Sequence, residues 1–333
     1  MKHATISDVA KEVGVSATTI SSFLNGHYNK MSSATRRKIN DTIVKMNYRP
    51  FASARDMRSR QTKTIAVIMG DTSNLFSSFL FTGIYHVFQP LGYSVLLLNV
   101  SNAAREEDQG IDRLLAQRVD GLIIQPSQGN FKAYEKILKN ATPLVMVDRE
   151  CQDQPTSVTK VVTNNFSSSL ELGVELANRG YQSIVLICRI KAISAQTQRI
   201  NGFQKAAKAN HVHIQVINTD GHDDSWLAKQ LSKAMGNRQQ KTVFVTLMGP
   251  LLFKLLTFFK KNHLTFPIDA GLLSFDDWDW SQFVGDGIDL MEQNPMEMGR
   301  RAGKLLYQAI NQENDLDLIV DQVPAKRIAG SSL

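Results

Sequence analysis

The sequence predicts a small all-α helix-turn-helix domain followed by a larger α/β region made of two similar subdomains. Residues 5–26 read as two short helices joined by a tight turn. From Thr64 onward, apolar runs of strand length alternate with amphipathic helical segments, a pattern typical of parallel sheets covered by helices on both faces. This second region has about 270 residues, too many for one such sheet, and its strands fall into two sets of similar size.

The helix-turn-helix prediction depends on the residues that begin and end each helix. Thr5 can cap the first helix together with Asp8, a variant of the capping box. Gly14 lies where the first helix must stop and turn through positive φ. Ser16 then caps the second helix, and Asn25 ends it. The second helix presents short polar side chains, as a helix that enters the major groove of DNA would.

A third helix completes the N-terminal domain. Ser32 can cap it after a polar loop, and Ile39, Ile43 and Met46 follow at the i, i+4 and i+7 spacing of one apolar face. That face should pack on the helix-turn-helix, so that Arg36, Arg37 and Lys38 of the same helix face solvent or phosphate.

The positive charge of the chain belongs to its first 60 residues. This segment holds eleven Lys and Arg against four Asp and Glu, whereas the remaining 273 residues carry 27 of each. A basic excess confined to one small domain is the electrostatic footprint of nucleic-acid binding.

Membrane and secretory classes are disfavoured. Residues 1–9 lack the apolar region of a signal peptide, and no apolar run approaches the roughly 18–20 residues that span a bilayer. We therefore expect a cytoplasmic protein with no membrane partner. Cys151 and Cys188 match no metal-ligand spacing and are expected to be unpaired thiols in a reducing compartment.

The motifs of the N-terminal domain resemble those that open the LacI/GalR family of bacterial transcription regulators. They are Val13-Gly14-Val15-Ser16, Thr19-Ile20-Ser21 and Asn47-Tyr48-Arg49-Pro50. The resemblance covers the whole chain and implies a homodimer that binds a pseudo-palindromic, double-stranded operator. It also implies that the α/β region is a periplasmic-binding-protein-like effector domain with two Rossmann-like subdomains.

The predicted DNA contacts divide by role. Ala17, Thr18 and Ser22 should face base edges, while Ser16, Thr19 and Ser21 should mainly serve helix caps and phosphates. In the N-terminal domain, which we call the head, the predicted DNA contacts are Thr5, Ser16, Ala17, Thr18, Thr19, Ser21, Ser22 and Asn25.

Residues 51–60 form a helix-capable segment with little apolar surface, which should be marginal as a helix by itself. The resemblance implies a hinge helix that pairs with its copy in a second subunit and inserts an apolar side chain into the minor groove. Ala54 and Met57 match the small and apolar positions of that hinge, with Met57 in place of the usual Leu. The alternative is a simple basic linker.

The α/β region shows no enzyme signature. The turn after its first strand, Gly70-Asp71-Thr72-Ser73-Asn74, is neither a dinucleotide-binding nor a P-loop motif, and neither G-x-S-x-G nor a His-based metal spacing occurs. We therefore expect a ligand-binding domain with no catalytic residue, metal or cofactor, whose cleft lies between the subdomains at the carboxyl ends of the strands. The strand-length runs are Ile65–Met69, Val95–Leu98, Leu122–Ile124, Leu144–Val147, Ile184–Ile187, Val243–Leu247 and Leu272–Phe275. Helical segments include Glu107–Ala116, Ser168–Asn178, Arg199–Ala209, Leu251–Lys260 and Met296–Ile310.

Candidate effector contacts lie at the ends of these strands. Asp148 and Asp276 end two strands and can accept bonds from sugar hydroxyls, and Arg199, at the start of a helix, matches an arginine that holds polar ligands in the resembled family. Structural ion pairs or caps are the alternative for these three. The resemblance adds Asn74, Phe76 and Gln293, of which Gln293 could equally be structural. Trp278 and Trp280 could stack on a sugar face, but they could equally pack in the core. The stretch Leu247-Met248-Gly249-Pro250 lacks the Asn or Asp that many sugar-responsive members of the family carry just after this strand.

Short stretches place the chain near the branch that regulates 2-keto-3-deoxygluconate use, including Asp276-Asp277-Trp278-Asp279-Trp280. We therefore predict a transcriptional repressor of carbohydrate metabolism that a small sugar or sugar acid releases from DNA. A regulator responding to a neutral or phosphorylated sugar is an alternative, as is a sugar-binding transport receptor. The receptor would have a signal peptide and no basic head.

The predicted domain limits follow from these assignments. A DNA-binding domain covers residues 1–49, a hinge or linker 50–61, and the effector domain 62–333. Within the effector domain, the N-subdomain takes about 62–161 and 292–321, and the C-subdomain takes about 162–291 and 322–333.

Overall fold

A computed structural model of the chain describes residues 4–29, 31–48, 61–190, 194–236, 240–277, 279–312 and 320–333. The chain divides into two compact units, Met1–Thr62 and Lys63–Leu333. The predicted hinge with Ala54 and Met57, and the predicted contact Trp278, lie outside the described residues.

Within its described residues, the first unit contains the three helices that were predicted: α1 (Ile6–Val13), α2 (Ala17–Leu24) and α3 (Ser33–Lys45). Thr5 and Asp8 form a full capping box at the start of α1, and Gly14 ends α1 in the left-handed region with φ of 80°. The side chains of Ser16 and Ser32 cap α2 and α3 by accepting bonds from backbone amides. The core between the helices is built on Val9, Ala10, Val13, Ile20, Ile39 and Tyr48.

Two basic side chains of α3 have structural partners that the sequence did not predict. The ammonium of Lys38 donates to the carbonyl of Val13 at 2.9 Å and thereby ties α3 to the end of α1. The guanidinium of Arg36 donates to the carbonyls of Met31 and Tyr28. Both side chains therefore help to hold the N-terminal domain together, because the end of α1 and the loop between α2 and α3 leave carbonyls without helical partners.

In the described part of the second unit, twelve strands form two six-stranded sheets with matching strand orders. Sheet 1 has the order β2-β1-β3-β4-β5-β11, and all of its pairs are parallel. Sheet 2 has the order β7-β6-β8-β9-β10-β12 and is parallel except for the last pair. The strands of sheet 1 are β1 (Thr64–Met69), β2 (Ser94–Asn99), β3 (Gly121–Ile124), β4 (Leu144–Val147), β5 (Thr159–Thr163) and β11 (Val320–Val323). Those of sheet 2 are β6 (Ser183–Cys188), β7 (His213–Asn218), β8 (Thr242–Thr246), β9 (Gly271–Phe275), β10 (Asp289–Glu292) and β12 (Lys326–Ile328).

Helices cover both faces of each sheet, which confirms the predicted fold class. Alternate residues of β1 illustrate the layering, since Ile65 packs in one apolar cluster with Leu80 and Met298, and Ala66 packs in the other with Ile111. The helices are α4 (Leu75–Phe88), α5 (Ala104–Ala116), α6 (Glu135–Lys139), α7 (Asn165–Asn178), α8 (Ser194–Ala209), α9 (Asp224–Met235), α10 (Gly249–Lys261) and α11 (Pro295–Ile310). Among the described residues, no helix is long and apolar enough to cross a membrane.

Glycines bring α4 and α11 into close contact. A Cβ atom on Gly83 would lie 2.1 Å from the carbonyl oxygen of Met296, and one on Gly299 would lie 2.1 Å from that of Leu80. Because each glycine accommodates the backbone of the other helix, the crossing leaves no room for a side chain at either position.

Within the described residues, the chain passes three times between the sheets: after β5, after β10 and after β11. β5 continues to Thr163 and β11 to Val323, two residues beyond the predicted N-subdomain limits, while β10 ends at Glu292 in sheet 2. Both subdomains are therefore assembled from separate stretches of chain.

Candidate ligand cleft and recognition helix

A small chamber of about 50 Å³ lies between the subdomains at the carboxyl ends of the strands. This is the place where ligands bind in open parallel sheets. The structure brings six of the seven predicted effector contacts together in its lining: Asn74, Phe76, Asp148, Arg199, Asp276 and Gln293.

Asp148 and Asp276 occupy equivalent positions in the two sheets. Asp148 directly follows β4 and Asp276 directly follows β9, and each of these strands is the fourth of its sheet. Both residues have left-handed backbones, with φ of 68° and 60°. Non-glycine residues adopt this conformation at a cost, and such strain concentrates at functional sites.

Gln293 holds the carboxylate of Asp276 in the chamber. Its backbone amide and its side-chain amide donate to the two oxygens of Asp276 at 2.7 and 2.6 Å. Its side-chain carbonyl accepts a bond from Thr163 at 2.9 Å, which links the passage after β10 to the end of β5. Burial raises the pKa of Asp276 to about 6, against the opposing effects of Arg199 and of the bonds from Gln293.

Arg199 lies in the second turn of α8, which begins at Ser194 rather than at Arg199 as predicted. Its Nε donates to Asn165 at 2.7 Å and its Nη1 to the carbonyl of Leu247 at 2.6 Å, while its guanidinium lies 4.0 Å from the centre of the Phe275 ring. Burial lowers its pKa, and the charges of Asp276 and Asp148 oppose that shift. Among the described residues, no hydrogen bond from its Nη2 is found.

The structure adds a second arginine that was not among the predicted contacts. Arg149 lines the chamber, is 6% exposed, and donates through Nη1 to Asn102 at 2.8 Å and to the carbonyl of Pro126 at 3.2 Å. Its Nε lies 3.7 Å from a carboxylate oxygen of Asp148 and has no hydrogen-bond partner. The residue was visible in the sequence beside Asp148, but only its packing reveals that it points into the cleft.

Two glutamines, one at a strand end and one on α8, complete the polar lining of the chamber. Gln125, directly after β3, donates to Asp148 at 2.7 Å and accepts from the amide of Gly70 at 2.9 Å. Gln196 on α8 accepts from the amide of Arg189. The chamber therefore presents two carboxylates, two guanidiniums and several amides, which can together recognise hydroxyl groups and one acidic group.

The chamber opens into a wider cleft of about 560 Å³. Asn74, Gln125, Arg149 and Met248 line both spaces, so the two are continuous. Asn74 also caps α4, where its side chain accepts a bond from the amide of Phe76. In the part of the chain that the structure describes, no group of His, Cys, Asp and Glu side chains could hold a metal ion.

The exposed side of α2 forms the other candidate site. Ala17 and Thr18 are exposed at its start, and Ser16, Thr18, Thr19 and Ser22 line a shallow surface groove of about 540 Å³. The hydroxyl of Ser16 is engaged in the helix cap, and Asn25 donates to the carbonyl of Ser21 at the other end of α2. The residues predicted to read bases thus have side chains available at the surface.

Family profiles match most of the chain. The profile of periplasmic binding proteins and the sugar binding domain of the LacI family matches residues 62–239, and that of bacterial regulatory proteins of the lacI family matches residues 5–50. A periplasmic binding protein-like domain matches residues 174–333.

Curated relatives are similar along nearly their whole length. The HTH-type transcriptional regulator KdgR of Bacillus subtilis is 28% identical over 335 residues, which cover 99% of this chain and 98% of the relative. The regulator EndR of Paenibacillus polymyxa is 28% identical over 316 residues, 93% and 91% of the two chains. The crystal structure of a LacI family regulator from Silicibacter pomeroyi shares the fold, with a TM-score of 0.82 at 19% identity and 99% coverage of both chains.

Proposed function

The chain belongs to the LacI family of bacterial transcription regulators, and on that premise we propose that it is a sequence-specific repressor of carbohydrate metabolism. It acts as a cytoplasmic homodimer on a pseudo-palindromic operator, and a small sugar or sugar acid releases it. The proposal keeps the predicted division into a DNA-binding head, a hinge and an effector domain, including the minor-groove role of Met57.

The polar chamber carries the effector half of this proposal. Asp148, Asp276 and Gln293 offer acceptors and an amide for hydroxyl groups, while Arg149 and Arg199 offer the guanidiniums that a carboxylate requires. A buried anion without a cationic partner would cost several kcal/mol. Two arginines at one chamber therefore favour an acidic ligand over a neutral one.

Our best candidate for the effector is 2-keto-3-deoxygluconate. The lining suits a hydroxylated chain with one carboxylate, and the similarity to KdgR supports this branch at 28% identity. The alternatives are a neutral or phosphorylated sugar, or a role like that of sugar-binding transport receptors. A transport receptor would not need a basic helix-turn-helix domain, so this alternative does not explain the N-terminal part of the chain.

The decisive variant is Arg199→Ala, with Lys208→Ala as the matched control because Lys208 is an exposed cation of the same helix. We expect Arg199→Ala to bind operator normally, to lose calorimetric binding of 2-keto-3-deoxygluconate, and to stay on DNA when that ligand is added. Lys208→Ala should behave like the wild type.

A neutral sugar that binds tightly to both the wild type and Arg199→Ala would contradict the acidic effector. The family assignment and the operator-binding role would stand in that case. Failure of the wild-type protein to select any DNA sequence from a randomised pool would instead contradict the repressor.

A further inference from the structure

Glu107 is a buried carboxylate that the proposed effector site does not use directly. It lies on α5, is 0% exposed, and lines neither the chamber nor the wider cleft. Burying a carboxylate is costly unless hydrogen bonds and an opposite charge compensate it. The groups that compensate the charge of Glu107 lie in the loop after β3 and at Arg149, which lines the ligand cleft.

The hydrogen bonds of Glu107 hold the loop that follows β3. One carboxylate oxygen accepts from the amide of Ser127 at 2.9 Å. The other accepts from the hydroxyl of Tyr134 at 2.8 Å and from the side-chain amide of Gln128 at 3.3 Å. Residues 127–134 are thereby fixed to α5 from behind.

The same loop supports the two charged residues at the end of β4. The side chain of Gln125 donates to Asp148, and the carbonyl of Pro126 accepts from Arg149. Glu107 therefore holds the loop whose Pro126 carbonyl positions the guanidinium of Arg149.

Glu107 and Arg149 also interact through their charges. Burial lowers the pKa of Arg149, and the negative charges of Asp148 and then of Glu107 oppose that change. Burial raises the pKa of Glu107, and the positive charge of Arg149 is among the effects that oppose it. Three donors face the carboxylate of Glu107, and Arg149 is bonded to Pro126, directly beside one of those donors, so the negative charge of Glu107 lies behind a guanidinium that lines the cleft.

We propose that Glu107 is a specificity-determining residue that weakens the preference of the cleft for anions by compensating the charge of Arg149 from behind. The residue contacts no ligand itself and acts through Arg149. This inference rests on the proposed effector site. It implies that the preference of the site for acidic over neutral hydroxylated ligands is smaller than its two guanidiniums alone would give, and that one buried charge sets the size of that preference.

The test compares an acid with its neutral counterpart. Calorimetry on the full-length protein would use 2-keto-3-deoxygluconate and its primary amide, in the wild type and in Glu107→Gln. Removing the compensating charge should raise the affinity for the acid about tenfold relative to the amide, because a charge in the protein interior is screened less than one in water. Glu106→Gln removes the same charge from the exposed neighbouring position on α5 and should leave the ratio unchanged.

Two further variants distinguish the effect of the charge of Glu107 from the effect of its hydrogen bonds to the loop after β3. Tyr134→Phe removes a hydrogen bond to Glu107 but no charge, so it should lower the melting temperature and leave the acid-to-amide ratio unchanged. Asn102→Asp adds a negative charge to another partner of Arg149 at an exposed position, and should shift the ratio in the opposite direction even if Glu107→Gln fails to fold.

Equal changes in both affinities for Glu107→Gln would make the residue a structural support and overturn the inference. An unchanged ratio in Asn102→Asp would overturn it too. If the wild type binds neither the acid nor the amide, the proposed effector class fails as well, whereas binding of both with an unaltered ratio removes only the role of Glu107.

Discussion

Asp276 makes the stability of the effector domain depend on pH. Its pKa is about 6, above the ordinary value of 3.8, because the carboxyl is buried. A raised carboxyl pKa gives a stabilising contribution that is fully present below pH 4 and is lost as pH rises through 6. This shift of about two pKa units corresponds to about 3 kcal/mol in the free energy of unfolding.

We expect Asp276→Asn to remove this dependence. The free energy of unfolding of the wild type, minus that of the variant, should fall by about 3 kcal/mol between pH 4 and pH 7, because other titrating groups cancel in the difference. Chemical denaturation followed by circular dichroism at several pH values measures it. A difference that stays constant across this range would show that the carboxyl titrates normally in the folded protein.

The two aspartates that end strands were accessible to sequence reasoning, whereas several of the polar residues packed around them were not. Asp148 and Asp276 directly follow apolar runs, so their place at the mouth of a sheet could be predicted. Asn165 and Gln125 were missed because an uncharged amide beside a strand carries no distinct signal. Their importance arises from bonds to Arg199 and Asp148 that depend on packing between distant stretches of chain.

At the scale of elements, α2 should determine which operator the protein prefers. Ala17 and Thr18 are exposed at its start, and Thr18 and Ser22 line one surface groove. Replacing all three should change the site recovered by selection from randomised DNA, because base contacts specify sequence whereas phosphate contacts only position the protein. Asn40→Ala, at an exposed position of α3, is the control. Recovery of the wild-type site by the triple variant would disprove the assignment.

The crossing of α4 and α11 should tolerate no side chain. Gly83→Ala and Gly299→Ala would each place a methyl group about 2 Å from a backbone carbonyl oxygen, so the helices must separate. We expect a loss of about 3 kcal/mol in the free energy of unfolding for each. Gly129→Ala is the matched control, because nothing lies within 4 Å of its added Cβ and its φ is not positive. Denaturant midpoints that matched for all three variants would contradict the close crossing.

The elements found from sequence are those with continuous apolar runs. The predicted strands match β1 to β4, β6, β8 and β9 within one or two residues. The other five strands were missed, since β10 and β11, for example, read DLME and VDQV and contain acids. These strands lie toward the sheet edges or alternate in burial, so hydrophobicity alone does not distinguish them from loops.

At the scale of the whole molecule, the proposed effector and operator must influence each other equally. If the effector lowers operator affinity by a given factor, the operator lowers effector affinity by the same factor, because both describe one coupling free energy. We expect a factor of about 10 to 100. Calorimetric titration of effector into free and operator-bound protein measures it. Equal effector affinity in both states would mean that the ligand is not an allosteric effector.

The three crossings of the chain between the sheets also affect the order in which the protein can fold during translation. Sheet 1 receives β11 and sheet 2 receives β12 from residues 320–333, and the side chain of Ser332 bonds to Asp289 and to the carbonyl of Leu272. On the ribosome, neither sheet can be completed until these residues have emerged, whereas the three-helix head is available to fold from the start. Until these last residues emerge, the nascent chain therefore carries its DNA-binding head ahead of an effector domain in which neither sheet has all of its strands.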